Sequence, residues 1–343
     1  MKKITREECN EIIVGGTLLG TGGGADPVRG KQLIEKVQNL NLCSLDELND
    51  DDYVFCIFMI GSSGMEEQSS SGVLLAKQNF FKLCNRSFKG IIPVELGGGA
   101  LGETLFIANE LKLPIIDADV VGGRAAPEVF LETITLRGIA RTPLVVANNN
   151  GDVASLTNSN DYLFVEKFLR SFATQSGGIA YVCGYPLRVG DIKGVVAEES
   201  VTRCMELGKK MTSGKYEEIA SENIFSFIAE GIVTSVTTEN LDGFLQGEYT
   251  IQSGKDTFEI TIKNENIICK KNEKTIVTVP DLICLYNLET NEGVYNRDIV
   301  LGLKVAILSA PAIPIWRTPE GIKLFSPKNL GFNEETVLLE REK

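Results

Sequence analysis

Hydrophobic positions fall into two regimes along the chain. In the first half, short unbroken apolar runs alternate with longer stretches of helical period. The runs Tyr53–Ile60, Ile91–Leu96, Ile115–Ile116 and Leu144–Ala147 are bounded by acids, glycine or proline, as buried strands are. Helices are predicted at 28–39, 72–84, 100–112, 127–138 and 160–173, and Thr5-Arg-Glu-Glu8 is a capping box that starts another. Strand–helix alternation at this spacing predicts a parallel, mostly buried sheet. Ile179–Leu187 is strand-like and 198–212 helical. From Gly231 the period changes to two, in Ile232–Thr237, Gly247–Ile251, Phe258–Ile262 and Thr275–Val279, with Leu282–Tyr286 and Leu303–Leu308 continuing the series. That pattern predicts an antiparallel meander closing as a sandwich or barrel. The expected fold is therefore α/β: an N-terminal parallel-sheet domain over 1–172, then a β-rich domain over 173–343.

In open α/β sheets, ligands gather beyond the carboxyl ends of the strands. Four predicted strand ends carry polar or glycine-rich loops: Gly61–Ser63, Glu95–Gly99, Asp117–Arg124 and Asn148–Asn150. The third is the richest in chemistry. Asp117 and Asp119 share a face while the chain stays extended, and two glycines, Arg124 and Glu128 follow. Either the acids act in a cleft, with Arg124 neutralising them, or Asp119 caps a turn and Arg124 pairs with a structural acid. Glu95 has the same two readings.

The glycine loops resemble nucleotide sites only in part. Gly20-x-Gly22-x-x-Ala25 follows a helix, whereas a dinucleotide fingerprint needs a strand before it. Gly97-x-x-x-x-Gly102-Glu103-Thr104 has glutamate where a phosphate loop has lysine. No nucleotide is expected. The backbone amides of Gly22, Gly23 and Gly24 form either an anion or oxyanion nest or a tight packing turn.

Composition narrows the chemistry. A formal charge of −12 argues against nucleic acid or an anionic membrane as partner. No histidine is present, which removes His-dependent triads and His-x-x-x-His zinc sites. Eight cysteines without a Cys-x-x-Cys pair suit reduced, buried thiols in a cytoplasm. The single Trp316 is expected as a core anchor, and Arg317 beside it as a candidate ligand contact.

Several motifs in order, Gly20-Thr-Gly-Gly-Gly-Ala-Asp-Pro27, Pro93-Val-Glu-Leu-Gly-Gly98, Asp117-x-Asp119 with Gly-Arg-Ala-x-Pro-Glu128, Pro280-Asp-Leu-Ile283 and Trp316-Arg-Thr318, resemble the S-methyl-thiohydantoin desulfurase-like family. The resemblance spans nearly the whole chain. It implies an α/β domain joined to a β-rich domain, hydrolytic removal of sulfur from a thiohydantoin-type ring, and association with hydantoin utilisation. The assignment expected from it makes Asp117 or Asp119 the activator of water, directly or through a divalent metal such as zinc. Glu95 would be a second acid. Arg124 would hold a substrate carboxylate, with Glu128 and Arg317 as further substrate contacts, and the Gly22–Gly24 amides would stabilise the oxyanion or thiolate. A small-molecule substrate, a homo-oligomer and a hydantoinase-type partner are the expected associations. The rival reading makes the chain a non-catalytic ligand-binding subunit of such a system.

Overall fold

The computed structural model describes residues 1–38, 40–65, 69–214, 218–219 and 225–340. Its first sheet has eight strands in the order β1-β2-β5-β4-β3-β9-β7-β8. These are β1 (Lys2–Ile4), β2 (Leu40–Cys43), β3 (Tyr53–Gly61), β4 (Gly90–Ile91), β5 (Ile115–Ile116), β7 (Leu144–Ala147), β8 (Val153–Leu156) and β9 (Ile179–Arg188). A two-residue ladder outside the sheet joins β6 (Ala118–Asp119) to β10 (Ala197–Glu198). Pairing is parallel from β2 through β5 and β4 to β3, and antiparallel elsewhere. The sheet is thus mixed where a parallel one was expected.

Three elements differ from the sequence expectation, the first being the strand expected over Ile91–Leu96, which is strand only at Gly90–Ile91. The run Ile179–Leu187, assigned to the second domain, is β9, paired antiparallel to both β3 and β7. The first sheet therefore continues past residue 172, because periodicity identifies a strand but not its partners. The helix expected at 127–138 is absent apart from one 3-10 turn, Thr133–Arg137. Its backbone bonds elsewhere: the Val129 N–H donates to Glu166 and the Thr133 N–H to the Val120 carbonyl.

Helix α1 (Arg6–Leu19) starts at the expected capping box and lies between the two halves of the molecule. One hydrophobic core gathers α1 residues Ile12, Ile13 and Leu18 with Phe55 and Ile91 of the first sheet and Leu282, Cys284 and Leu308 of the second. α1 also crosses α7 (Ser200–Thr212) at backbone contact distance. A Cβ on Gly15 would stand 1.9 Å from the Cys204 carbonyl oxygen, and one on Gly208 1.9 Å from that of Glu11. Only glycine permits this approach.

The second sheet is wholly antiparallel, in the order β15-β14-β13-β12-β11-β18-β16-β17. It comprises β11 (Ser226–Leu241), β12 (Phe244–Ser253), β13 (Asp256–Lys263), β14 (Glu265–Lys271), β15 (Lys274–Thr278), β16 (Leu282–Asn287), β17 (Glu292–Gly293) and β18 (Lys304–Ala310). It is one sheet rather than two facing ones, and it curls until β14 lies against β16. Asn266 bridges them inside, accepting from the Tyr249 hydroxyl at 2.7 Å and donating to the Ile283 carbonyl at 2.9 Å. Among the described residues no helix is long and apolar enough to cross a membrane.

Candidate functional site

A cavity opens where the loops after β3 and β4 meet the turn between β13 and β14. It encloses about 650 Å³ of atom-free space, the open solvent at its mouth included. Phe58, Ile60, Val94, Val121 and Val129 give apolar walls. Ser62, Ser63, Asn264 and Tyr295 add polar groups, and Glu95, Glu128, Glu132 and Glu265 add four carboxyls.

Glu265 enters from the second domain through an unusual turn. Asn264 sits at φ 58°, in the left-handed region that asparagine tolerates. Its amide is fully engaged: Oδ1 accepts from the N–H groups of Ser63 (3.0 Å) and Leu245 (2.9 Å), and Nδ2 donates to the Gly61 carbonyl at 3.1 Å. This clamp fixes the end of β3 against the start of β14. The next side chain, Glu265, reaches over the glycine loop at the end of α1. A Cβ on Gly23 would stand 1.8 Å from Glu265 Oε1, and the Gly24 N–H donates to its carboxylate. Glu265 Oε2 is buried with no hydrogen-bond partner among the described residues.

Glu95 approaches from the first domain and accepts one N–H, that of Ala126, at 3.2 Å. Burial is the chief cause that raises both acids above the ordinary carboxylate range, and Glu265 raises Glu95 further. Arg124 and Arg170 act in the opposite direction on Glu265. Asp119 and Glu132 push Glu95 further up. Both carboxyls are thus held toward their protonated forms.

The other cavity carboxyls are more fully engaged. Glu132 accepts from Arg141 Nε at 2.6 Å and from the Tyr185 hydroxyl at 3.0 Å, and burial pushes it up to about 7. Glu128 pairs with Lys263. Arg170 donates to Glu166 at 2.8 Å and to the carbonyls of Gly61, Gly243 and Pro127 at 2.8–3.1 Å, with its guanidinium 4.0 Å over Phe244.

Of the residues expected at the site, Glu95, Glu128 and Gly24 line this cavity. The strand-end loops Gly61–Ser63 and Glu95–Gly99 reach it; Asn148–Asn150 instead holds α3 (Ser71–Leu83) through Asn149 Oδ1 and the Gly72 N–H, 2.8 Å. The acid loop does not form the expected cleft. Asp117 caps α7, accepting from the Thr202 N–H at 2.8 Å and its hydroxyl at 2.5 Å. Asp119 is buried and accepts from the Gly122 and Gly123 N–H groups at 2.6 and 2.8 Å. The two acids serve different backbones, since the chain leaves the first sheet between them.

Arg124 is fully buried and donates to the Ala125, Pro280 and Asp281 carbonyls and to Thr21 Oγ1, so a substrate carboxylate cannot reach its main donors. Arg317 makes a bidentate pair with Asp281, at 3.0 and 2.9 Å, away from the cavity. Trp316 is fully buried, as expected, and donates to the Val121 carbonyl at 2.7 Å. The glycine loop is a latch between the halves rather than an open nest. The Gly22 carbonyl accepts from Asn296, the Thr21 carbonyl from Asn266, and the Gly23 N–H is taken by the Gly20 carbonyl.

A divalent metal does not fit the side chains present. Among the described residues no three Cys, Asp or Glu groups converge to ligate an ion, and the eight cysteines are buried and unpaired. Asp117 and Asp119, the expected ligands, are bound to backbone donors.

The residue that sequence reasoning missed is Glu265. The signal for it was present: Asn264-Glu-Asn266 interrupts a β-branched, alternating stretch with three polar residues, at a point where asparagine can take the left-handed turn.

Comparison with known proteins agrees with this architecture. Residues 7–158 match the S-Me-THD-like N-terminal domain, and residues 159–339 the S-Me-THD-like C-terminal domain. A crystal structure of a protein from Chromobacterium violaceum, a structural-genomics target, is similar with a TM-score of 0.83. That likeness covers 99% of this chain and 100% of that one at 18% identity, and it concerns the fold. No curated protein matches the chain. With both of its domain models matched in order over nearly its whole length, this chain belongs to the S-methyl-thiohydantoin desulfurase-like family.

Proposed function

We propose that the chain hydrolyses a carbon–sulfur bond on a small thiohydantoin-type ring held in the inter-domain cavity, with Glu265 as general base and Glu95 as general acid. The observation that carries this reading is the buried Oε2 of Glu265, without a hydrogen-bond partner among the described residues, at the wall of a cavity that the half-buried carboxyl of Glu95 also lines. A buried carboxylate oxygen without a donor is costly unless a ligand or water serves it, and two carboxyls in one low-dielectric site separate into an acid and a base.

In this reading the ring carbon that bears sulfur sits between the two carboxyls. Glu265 Oε2 takes a proton from water as the water oxygen bonds to that carbon. Glu95 gives its proton to the departing sulfur as the carbon–sulfur bond breaks. The hydroxyl proton left on that carbon passes to the ring nitrogen when the sulfur leaves as a thiol, or to the sulfur when it leaves as hydrogen sulfide, so that one water is consumed and the carbon becomes a carbonyl. The proton held by Glu265 then returns to Glu95, directly or through water. General acid–base catalysis of this kind contributes about 10²–10⁴-fold.

The test is thiol or sulfide release from a panel of thiohydantoins and S-methyl-thiohydantoins, followed with a chromogenic disulfide. Release faster than in buffer, with the ring carbonyl product identified, is expected. Absence of release from every ring would overturn the reading.

A further inference from the structure

Glu265 is flanked by two irregularities of the backbone. Lys263 and Glu265 are directly paired, so β13 and β14 are joined by a turn of one residue, Asn264. The same ladder shifts register between Thr261 and Ile262, which leaves Ile267 of β14 without a partner on β13. A turn on one side and a bulge on the other re-aim the side chain between them.

Each polar atom of Asn264 is engaged. Its N–H donates to the Leu245 carbonyl at 2.7 Å, and its carbonyl accepts from Asn296 Nδ2 at 2.8 Å. Its Oδ1 accepts from the Ser63 and Leu245 N–H groups and from the Ser63 hydroxyl at 3.2 Å, and its Nδ2 donates to the Gly61 carbonyl. The side chain thus grips the end of β3. Asn296 ties the same turn to the glycine loop, donating its own N–H to the Gly22 carbonyl at 2.8 Å. That loop is held against preference, with Thr21 and Ala25 in the left-handed region at φ 51° and 64°. Gly24, between them, gives its N–H to Glu265.

We infer that Asn264 is the positioning residue for Glu265: its amide fastens the β13–β14 turn to the end of β3 and so sets where the Glu265 carboxyl stands relative to Glu95. The inference rests on the reading that Glu265 is the base. A turn anchored only within its own sheet would leave the spacing of the two carboxyls to the seating of one domain on the other. Asparagine suits the position because it tolerates φ 58° and its amide both accepts and donates. Asn296 is the second support. Its Oδ1 has no hydrogen-bond partner among the described residues, so removing its side chain costs the turn one bond, that to the Asn264 carbonyl.

Two variants and a double-variant cycle provide the test. Asn264→Gly keeps the left-handed turn and deletes the amide; Asn296→Ala is the milder change. We expect kcat for sulfur release to fall about a hundredfold in Asn264→Gly and about tenfold in Asn296→Ala, with KM within a few-fold, because misplacing a reacting group costs rate more than binding. Both losses should vanish in the Glu265→Gln background, where a residue that acts through Glu265 has nothing left to position. A loss of the same size in both backgrounds, or an unchanged kcat in a folded Asn264→Gly, overturns the inference. If Asn264→Gly does not fold, Asn296→Ala decides by the same criteria.

The carboxyl titration of Glu265, followed by carbon-13 NMR and assigned by its absence from Glu265→Gln, keeps this separate from the hydrolase reading. If no ring is turned over, that reading falls and the titration decides. A midpoint lower by at least about one pH unit in the folded variants, as the carboxyl leaves its buried position, upholds the positioning of Glu265 by Asn264. Any smaller change overturns it.

Discussion

Two pairs of acids, each with one buried and one half-buried member, are treated differently. Asp117 and Asp119 sit at the end of β5, where open α/β sheets usually place their chemistry. Yet each is met by backbone N–H groups at hydrogen-bond distance, from Thr202 and from Gly122 and Gly123. Glu95 and Glu265 come from different domains and line a cavity; Glu95 accepts one N–H, and one oxygen of Glu265 receives no donor among the described residues. The lesson is about satisfaction rather than position. A buried carboxylate with its lone pairs filled by backbone holds a turn, and an underfilled pair at a cavity wall is available to a ligand.

The sharpest way to break this contrast is to remove Arg124. If it is a strut of the acid loop, Arg124→Met should cost about 4 kcal/mol of stability, the scale for stripping one member from a buried charged network. Urea unfolding would measure it. Normal stability with a raised KM would restore Arg124 as a substrate anchor. Next in size is Gly23→Ala, whose methyl would occupy the space of Glu265 Oε1. The side chain can swing aside, so the fold should survive while turnover falls about a hundredfold, as for loss of a general base. Turnover near normal would show that the position of Glu265 does not matter.

A subtler test is the dependence of stability on pH. The folded-state values of Glu95 and Glu265 lie above those of an unfolded carboxyl, and burial likewise lifts Asp119 and Glu132 to about 7. The folded state then binds more protons, so the contribution of these groups is complete below the unfolded value near 4 and is lost as pH rises through 7 to 8. Glu265→Gln should therefore gain stability relative to the unaltered protein between pH 5 and pH 8. A loss over that window would mean that Glu265 is a stabilised carboxylate. The smallest expected effect belongs to the cysteines, all buried, with burial pushing the Cys269 thiol up to about 12. Cys269→Ala should cost about 1 kcal/mol and leave turnover intact; loss of turnover in a folded variant would point to a thiolate.

Much of the fold was legible because each element carries its own signal. The Thr5–Glu8 capping box, the apolar run of β3 and the β-branched alternation of β12, β13 and β15 depend only on local periodicity and end chemistry. Partnership is not local, which is why periodicity did not show that β9 joins the first sheet and why the backbone of 127–138 was read as a helix. The site divides the same way. Glu95 announced itself as an acid leaving a buried strand. Glu265 lies 170 positions further on in the numbering (265 against 95), and nothing in either segment states that the curl of the second sheet brings it to the first. Asp117 and Asp119 looked equally good from sequence, since the donors that fill them come from a helix more than 80 residues away and from a glycine turn.

One comparison tests the central claim most directly: single-turnover and steady-state rates of sulfur release for Glu265→Gln and Asp117→Asn, with unfolding curves for both. We predict that Glu265→Gln keeps its fold and loses turnover by at least about a hundredfold. Asp117→Asn should lose about 1–2 kcal/mol of stability, as a helix cap does, and keep turnover within a few-fold. Normal turnover in Glu265→Gln, with a collapse of turnover in a stably folded Asp117→Asn, would contradict the account.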